Sequence, residues 1–198
     1  MRKVKLQMQL SADGFVAGPN GEMDWMVWDW DDELKKHVNE LTDPVDCILL
    51  GRVLAQGFID AWASRATNPE STTEEVAFSH KMNDTPKIVF SKTLSTAKSG
   101  LPPGTWKNTT LAKGNLVEEI TTLKKQPGKD IIAYGGATFV SNLIKEGLID
   151  EYHLFMNPAA LGKGMAIFKG LENHLNFTLV KAKSFSCGIV AFHYEPKK

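Results

Sequence analysis

Three observations predict an α/β fold with a mixed, mostly parallel central sheet for this chain. Short apolar runs at 46–51, 87–91 and 130–134 have the composition of strands covered on both faces. Amphipathic helical patterns lie between them. Two β-rich runs over 176–194 meet near Ser186-Cys187-Gly188, the signature of an antiparallel C-terminal hairpin with glycine at the bend. At 198 residues the chain suits one domain, spanning 1–198, large enough to bury a core without disulfides or metal.

Taken in order, Val4, Leu6, Met8 and Leu10 alternate with polar residues and form the first strand. Leu34, Val38 and Leu41 then recur at helical spacing. After the strand at 46–51, the polar and irregular stretch Ala63 to Thr73 reads as a surface loop. Val76, Phe78 and Met82 mark a helix before the strand at 87–91. Thr109-Thr110, following Trp106, is a further strand, and Leu116, Ile120 and Leu123 a further helix. Beyond the strand at 130–134, Phe139, Val140, Leu143, Ile144 and Leu148 give the i, i+1, i+4, i+5 stripe of a helix laid on a sheet, with Gly147 near its end. Glu151 to Met156 is the next strand, ahead of the hairpin.

Bulk properties narrow the function. Lys plus Arg equals Asp plus Glu at 23 each, so no global field draws the chain to nucleic acid or an anionic membrane. The N-terminus alternates rather than forming an apolar block, and no 18 apolar residues run together, so a soluble, unexported protein is expected. Cys47 and Cys187 fall in apolar runs and read as buried thiols of a reducing cytoplasm. His37, His80, His153, His174 and His193 show no metal-ligand spacing, so no metal site is expected.

The chemistry-bearing signal is a repeated junction. Ile131 to Val140 carries an apolar strand through Gly135-Gly136 into the start of a helix. Two glycines permit close backbone approach, and the free N–H groups of the helix start favour an anion such as a diphosphate. Cys47-Ile48-Leu49-Leu50 ends in Gly51-Arg52, and Lys87-Ile88-Val89-Phe90 ends in Ser91-Lys92. Ligands of open α/β sheets bind outside the carboxyl ends of the strands, so these three ends describe one edge of a nucleotide-binding cleft.

Four segments in this order carry a resemblance: Ser11 to Ala17 followed by Gly21-Glu22-Met23-Asp24-Trp25; Leu49-Leu50-Gly51-Arg52; Ile88 to Lys92; and Gly135-Gly136-Ala137 through Leu148-Ile149-Asp150-Glu151. With them, the chain resembles the dihydrofolate reductase-like superfamily, and within it the reductase domain of riboflavin biosynthesis (the RibD C-terminal domain) and its stand-alone relatives. The resemblance implies NADPH lying across the strand ends. Gly51 and Arg52 would approach the diphosphate and adenosine phosphate, with Ser91 and Lys92 beside the latter, and Gly135, Gly136, Ala137 and Thr138 would receive the diphosphate from the opposite side. Val16 and Ala17 would belong to the loop over the nicotinamide. Arg52 and Lys92 are the kind of cation a 2′-phosphate requires, which favours NADPH over NADH. It further implies a cytoplasmic homodimer acting on a small heterocyclic molecule.

Two departures matter. Val53-Leu54-Ala55 offers no hydroxyl after Arg52, leaving backbone N–H groups to hold phosphate. The loop reads Asp24-Trp25 where dihydrofolate reductases have Pro-Trp, which argues against folate, and the deaminase half of the riboflavin enzyme is missing from this sequence.

An acid that offsets the charge gained by a hydride acceptor is sought among Asp29, Asp31, Asp32 and Glu33, with Asp32 the choice as catalytic residue. The same residues suit the capping of a helix start. Trp25 is the choice for stacking on a planar substrate, ahead of Trp28 and Trp30. Asp13-Gly14 reads first as a turn. The leading expectation is an NADPH-dependent reductase; the alternatives are a nucleotide-sensing module of the same fold without turnover, and a purely structural dimer.

Overall fold

The computed structural model describes residues 1–94 and 106–197. Its frame is an eight-stranded sheet. In chain order the sheet strands are β1 (Val4–Leu10), β3 (Val45–Gly51), β4 (Lys87–Phe90), β5 (Thr109–Ala112), β6 (Asp130–Gly135), β7 (Glu151–Met156), β9 (Phe177–Ser184) and β10 (Val190–Pro196). Spatially they run β5-β4-β3-β6-β1-β7-β10-β9, parallel from β5 through β7, with β10 antiparallel to both β7 and β9. Two short strands, β2 (Phe15–Ala17) and β8 (Met165–Ala166), pair apart from it.

Helices cover both faces. α4 (Leu116–Lys125) and α5 (Ala137–Lys145) pack Ile120, Val140, Leu143 and Ile144 against Val4, Leu6 and Met8. On the other face α1 (Asp32–Thr42), α2 (Arg52–Thr67) and α3 (Thr73–Asp84) bury Leu34, Val38, Ala55 and Met82 against Ile48, Leu50 and Ile132. Parallel strands need such cover on both sides, and the continuous apolar runs at β3 and β6 meet that need.

The sequence expectation of a loop over Ala63 to Thr73 is corrected. α2 continues to Thr67, and α3 begins at Thr73 with a capping box between Thr72 and Glu75. α2 shows no amphipathic stripe in the sequence because it is apolar on two sides. Ala55 and Ile59 enter the core while Val53 is 80% exposed, so no single stripe emerges. The alternation of β1 also conceals its position: Lys5 and Gln7 are buried, because β1 lies between β6 and β7. Lys5 is sustained there by Asp130, 2.9 Å away. Among the described residues, no helix is long and apolar enough to cross a membrane.

Candidate functional site

The carboxyl ends of β3, β4 and β6 open into one cleft of about 1240 Å³, larger than the usual few hundred to a thousand cubic ångströms of a single-ligand pocket. All ten residues assigned to cofactor contact from the sequence line it: Val16, Ala17, Gly51, Arg52, Ser91, Lys92, Gly135, Gly136, Ala137 and Thr138. The loop from β2 brings Asn20, Met23 and Met26 to its rim, and Trp28 follows.

Three helices start at this cleft, and they differ in how their first N–H groups are used. α2 begins after Gly51 and α5 after Gly136, neither of which has a side chain to cap the orphan donors. α4 begins after Asn115, whose side-chain Oδ1 accepts from Val117 N at 2.9 Å and Glu118 N at 3.3 Å. The free donors therefore belong to α2 and α5, and an anion suits them. The two junctions also touch: a Cβ on Gly51 would lie 2.7 Å from Phe139 Cβ and 3.1 Å from Gly136 N. Only a residue without a side chain permits that approach. Gly135, at φ +129°, adopts a backbone conformation suited to glycine.

Around this backbone cradle, Arg52 and Lys92 are exposed, with no carboxylate partner among the described residues. Ser91 serves the loop instead, its hydroxyl accepting from Leu94 N at 2.8 Å. Phe90 and Phe139 stack at 5.1 Å as an apolar wall. The Gly114-Asn115 junction after β5 belongs to the same cleft. A strand running into Gly-Asn and a helix is the signal in the sequence that marks it.

The remaining part of the cleft is aromatic. Trp30, Phe58, Trp62, Phe78 and Tyr134 line it with Val38 and Leu54, while Gln7 and Gln9 present amides from β1. The Phe58 ring lies 5.3 Å from that of Tyr134, and Trp62 lies 5.3 Å from Phe78. Arg65 places its guanidinium 5.1 Å from the Trp62 ring.

The structure does not bring the two residues chosen as catalytic into this cleft. Asp32 is fully exposed beside Lys35, 4.0 Å away, and lines no part of the cavity. It occupies the first turn of α1, and its side chain points to water while that of Leu34 enters the core. Trp25 also lies outside, its indole N–H donating to Glu22 O at 3.1 Å. Trp28 and Trp30 take the lining positions instead.

Asp31 is a structural residue. It accepts from Leu34 N at 2.8 Å as the N-cap of α1, and from Ser186 Oγ and Cys187 N at 2.7 and 3.0 Å, tying the helix to the β9–β10 hairpin. The Leu34 N–H and then the Ser186 hydroxyl lower its carboxyl to about 2. Glu33 pairs with Lys183 at 2.8 Å. Asp13 likewise fastens a loop, accepting from Ser11 Oγ, Leu161 N and Gly162 N, and the Ser11 hydroxyl leads in lowering its pKa to about 2.

The architecture is that of a dihydrofolate reductase-like fold with a nucleotide-sized cleft at its strand ends. The RibD C-terminal domain model matches residues 2–191, and the chain belongs to that family. It is 32% identical over 193 residues to the uncharacterized protein YyaP of Bacillus subtilis (strain 168), covering 98% of this chain and 94% of that protein. Among solved structures, a putative riboflavin biosynthesis protein from Shewanella sp. PV-4 superimposes with a TM-score of 0.74 at 24% identity, over the full length of both chains. The Thermotoga maritima diaminohydroxyphosphoribosylaminopyrimidine deaminase/5-amino-6-(5-phosphoribosylamino)uracil reductase follows at 0.66 and 19%, matching 99% of this chain and 57% of its own. Dihydrofolate reductase from Enterococcus faecalis, complexed with NADP(H), gives 0.58 at 14%, over 99% and 97% of the two chains.

Proposed function

We propose that this protein is an NADPH-dependent reductase of a small, planar heterocyclic substrate. The observation that carries the reading is the pair of uncapped helix starts, α2 and α5, meeting beside two exposed cations in one cleft. Backbone N–H groups at Arg52 and Ala137 would hold the diphosphate, and Arg52 with Lys92 the 2′-phosphate. Val16 and Ala17 would close over the nicotinamide beside Gly135-Gly136. The cofactor, when bound, supplies hydride from its C4 carbon to an electron-poor C=N or C=O carbon.

The protein supplies position and a dry wall. Trp30, Phe58 and Tyr134 fit the faces of a flat ring, and Gln7 and Gln9 offer amides to its edge. Among the described residues the aromatic part holds no carboxyl group. Glu146, at the end of α5, is the acidic residue of the cleft lining. The proton that completes the reduction is therefore assigned to solvent. Three tryptophans line the cleft, so NADPH should quench indole fluorescence and raise the melting temperature. A flat titration to millimolar concentration overturns the proposal.

The lack of an acid in the aromatic part also favours a second reading, a nucleotide-sensing module without turnover. NADPH binding without oxidation across pterins, pyrimidine ribosylamines and quinonoid compounds would support it. We further infer a cytoplasmic homodimer. The free thiols Cys47 and Cys187 suit a reducing compartment, and edge strand β9 exposes about half of Leu179 and Val180. A purely monomeric species in sedimentation would remove the dimer.

A further inference from the structure

On the sheet face that carries α1, three adjacent strands present polar side chains where a core would be apolar. The register aligns Lys5 with Glu151, Gln7 with His153, and His153 with His193, so all five share one face of β1, β7 and β10. Glu151 and His153 are buried, and the two imidazoles stack at 4.3 Å. Glu151 Oε2 lies 3.2 Å from His153 Nε2 and 3.7 Å from His193 Nε2. The three donor atoms fall within 4.8 Å of one another.

Hydrogen bonding alone leaves this cluster incomplete. Among the described residues, His193 Nε2 and Gln7 Oε1 are buried without a partner. Each is a lone-pair donor that an ion can satisfy. In a tetrahedral zinc site with bonds of about 2.1 Å, neighbouring ligand atoms stand about 3.4 Å apart, and the two distances from Glu151 Oε2 straddle that value.

The nearby lysines orient the carboxylate without exhausting it. Lys3 Nζ binds the other oxygen, Oε1, at 2.6 Å, an outer hydrogen bond of the kind that fixes a ligating carboxylate. Lys5 is engaged by Asp130 at 2.9 Å and stands 4.0 Å from Glu151 Oε2. Glu195 is 3.6 Å from Lys3. Lys181 on β9 pairs with His193, so the carboxylates Glu151, Asp130 and Glu195 are balanced by Lys3, Lys5 and Lys181, and it is the unsatisfied lone pairs rather than net charge that invite a cation. The His193 side chain is 23% exposed and that of Lys3 50%, which opens a route from solvent.

We propose that Glu151 Oε2, His153 Nε2 and His193 Nε2 form a site for a borderline-soft divalent ion of the zinc class, with Gln7 Oε1 or water in the fourth position. Imidazole with one carboxylate selects zinc, cobalt or nickel over magnesium. The ion would clamp β1, β7 and β10 and, because Gln7 also lines the cleft, would adjoin the aromatic part. Sequence spacing gave no hint of it. The pair Glu151 and His153 is an i, i+2 strand pair, and His193 arrives from another strand through sheet pairing.

The test uses tag-free full-length protein stripped with a chelator and titrated with Co²⁺, then Zn²⁺. One cobalt per chain with a tetrahedral visible absorption band, bleached by zinc, is expected, together with a zinc-dependent rise in melting temperature that magnesium does not produce. His193→Gln and Glu151→Gln should each weaken zinc at least tenfold. Should either variant fail to fold, X-ray absorption on the zinc-loaded wild type reads the same point, with two imidazoles expected in the first shell. Absence of the cobalt band, zinc affinity unchanged in the variants, or fewer than two imidazoles overturns the proposal. NADPH affinity, measured on the metal-free protein, reads the reductase proposal separately.

Discussion

The two parts of the cleft are made from different materials. The part proposed to hold phosphate is backbone: two helix starts that follow glycine, uncapped and brought into contact, with Arg52 and Lys92 at the rim. The aromatic part is side chain, assembled from the segment before α1, from α2 and α3, and from β6. Backbone sites tolerate variation at their exposed neighbours but not at their glycines. Side-chain sites change specificity one residue at a time and leave a backbone site beside them intact. Substitutions in the first part should therefore abolish cofactor affinity, and those in the second should move substrate parameters alone.

The largest break is expected from Gly51→Val. The new Cβ meets Phe139 and the Gly136 backbone and forces the junctions apart. Contacts from N–H groups to a charged phosphate contribute roughly 1.5–3 kcal/mol each, so losing two of them weakens NADPH by about a hundredfold or more. Overpacking adds a stability loss of about 1–3 kcal/mol. Fluorescence titration and thermal melting read the two effects separately; unchanged affinity would dismantle the backbone account.

Arg52→Ala comes next. It leaves the cradle intact and removes one charged contact, worth about 1.5–3 kcal/mol. NADPH should weaken by roughly ten- to a hundredfold and NADH hardly at all, measured at fixed ionic strength. Equal losses for both cofactors would move Arg52 from the 2′-phosphate to the shared diphosphate. A smaller effect belongs to the other part: Phe58→Ala removes a ring packed 5.3 Å from Tyr134. An aromatic contact worth about 0.5–1.5 kcal/mol raises KM by a few- to roughly tenfold, with NADPH affinity unchanged. If NADPH affinity falls in step, the division of the cleft is wrong.

The same contrast explains what the sequence revealed. The ends of β3, β4 and β6 were legible because a buried parallel strand is a continuous apolar run and Gly-Arg, Ser-Lys or Gly-Gly follows it directly. All eight residues placed at those ends do line the cleft, as do Val16 and Ala17 from β2. The aromatic part was not legible, because Phe58, Trp62, Phe78 and Tyr134 converge only after three elements pack, and α2 hides behind apolar residues on two sides. β2 and β8, of three and two residues, are too short to display any period. The acidic run at 29–33 displayed the right chemistry in the wrong place. Asp31 caps α1 and Glu33 pairs with Lys183, structural roles that composition alone does not distinguish from an active-site acid.

Asp31 and Asp32 make that last point measurable, with the smallest expected effects. Asp31→Ala removes the acceptor for Leu34 N and the tie to Ser186 and Cys187, so melting temperature should fall. Its pH dependence has a definite sign. The folded carboxyl sits at about 2, below its ordinary 3.8, so the folded state releases this proton more readily than the unfolded chain. The stabilisation is fully present above about pH 3.8 and is lost as pH falls through 2. The wild type and Asp31→Ala should therefore converge in melting temperature on acidification across that window. Asp32→Ala removes a solvent-facing carboxylate whose nearest cation is 4.0 Å away, and should leave melting temperature, NADPH affinity and turnover where they were. Loss of turnover in Asp32→Ala with cofactor affinity intact would return the acid to this helix start and require the loop before α1 to move on substrate binding.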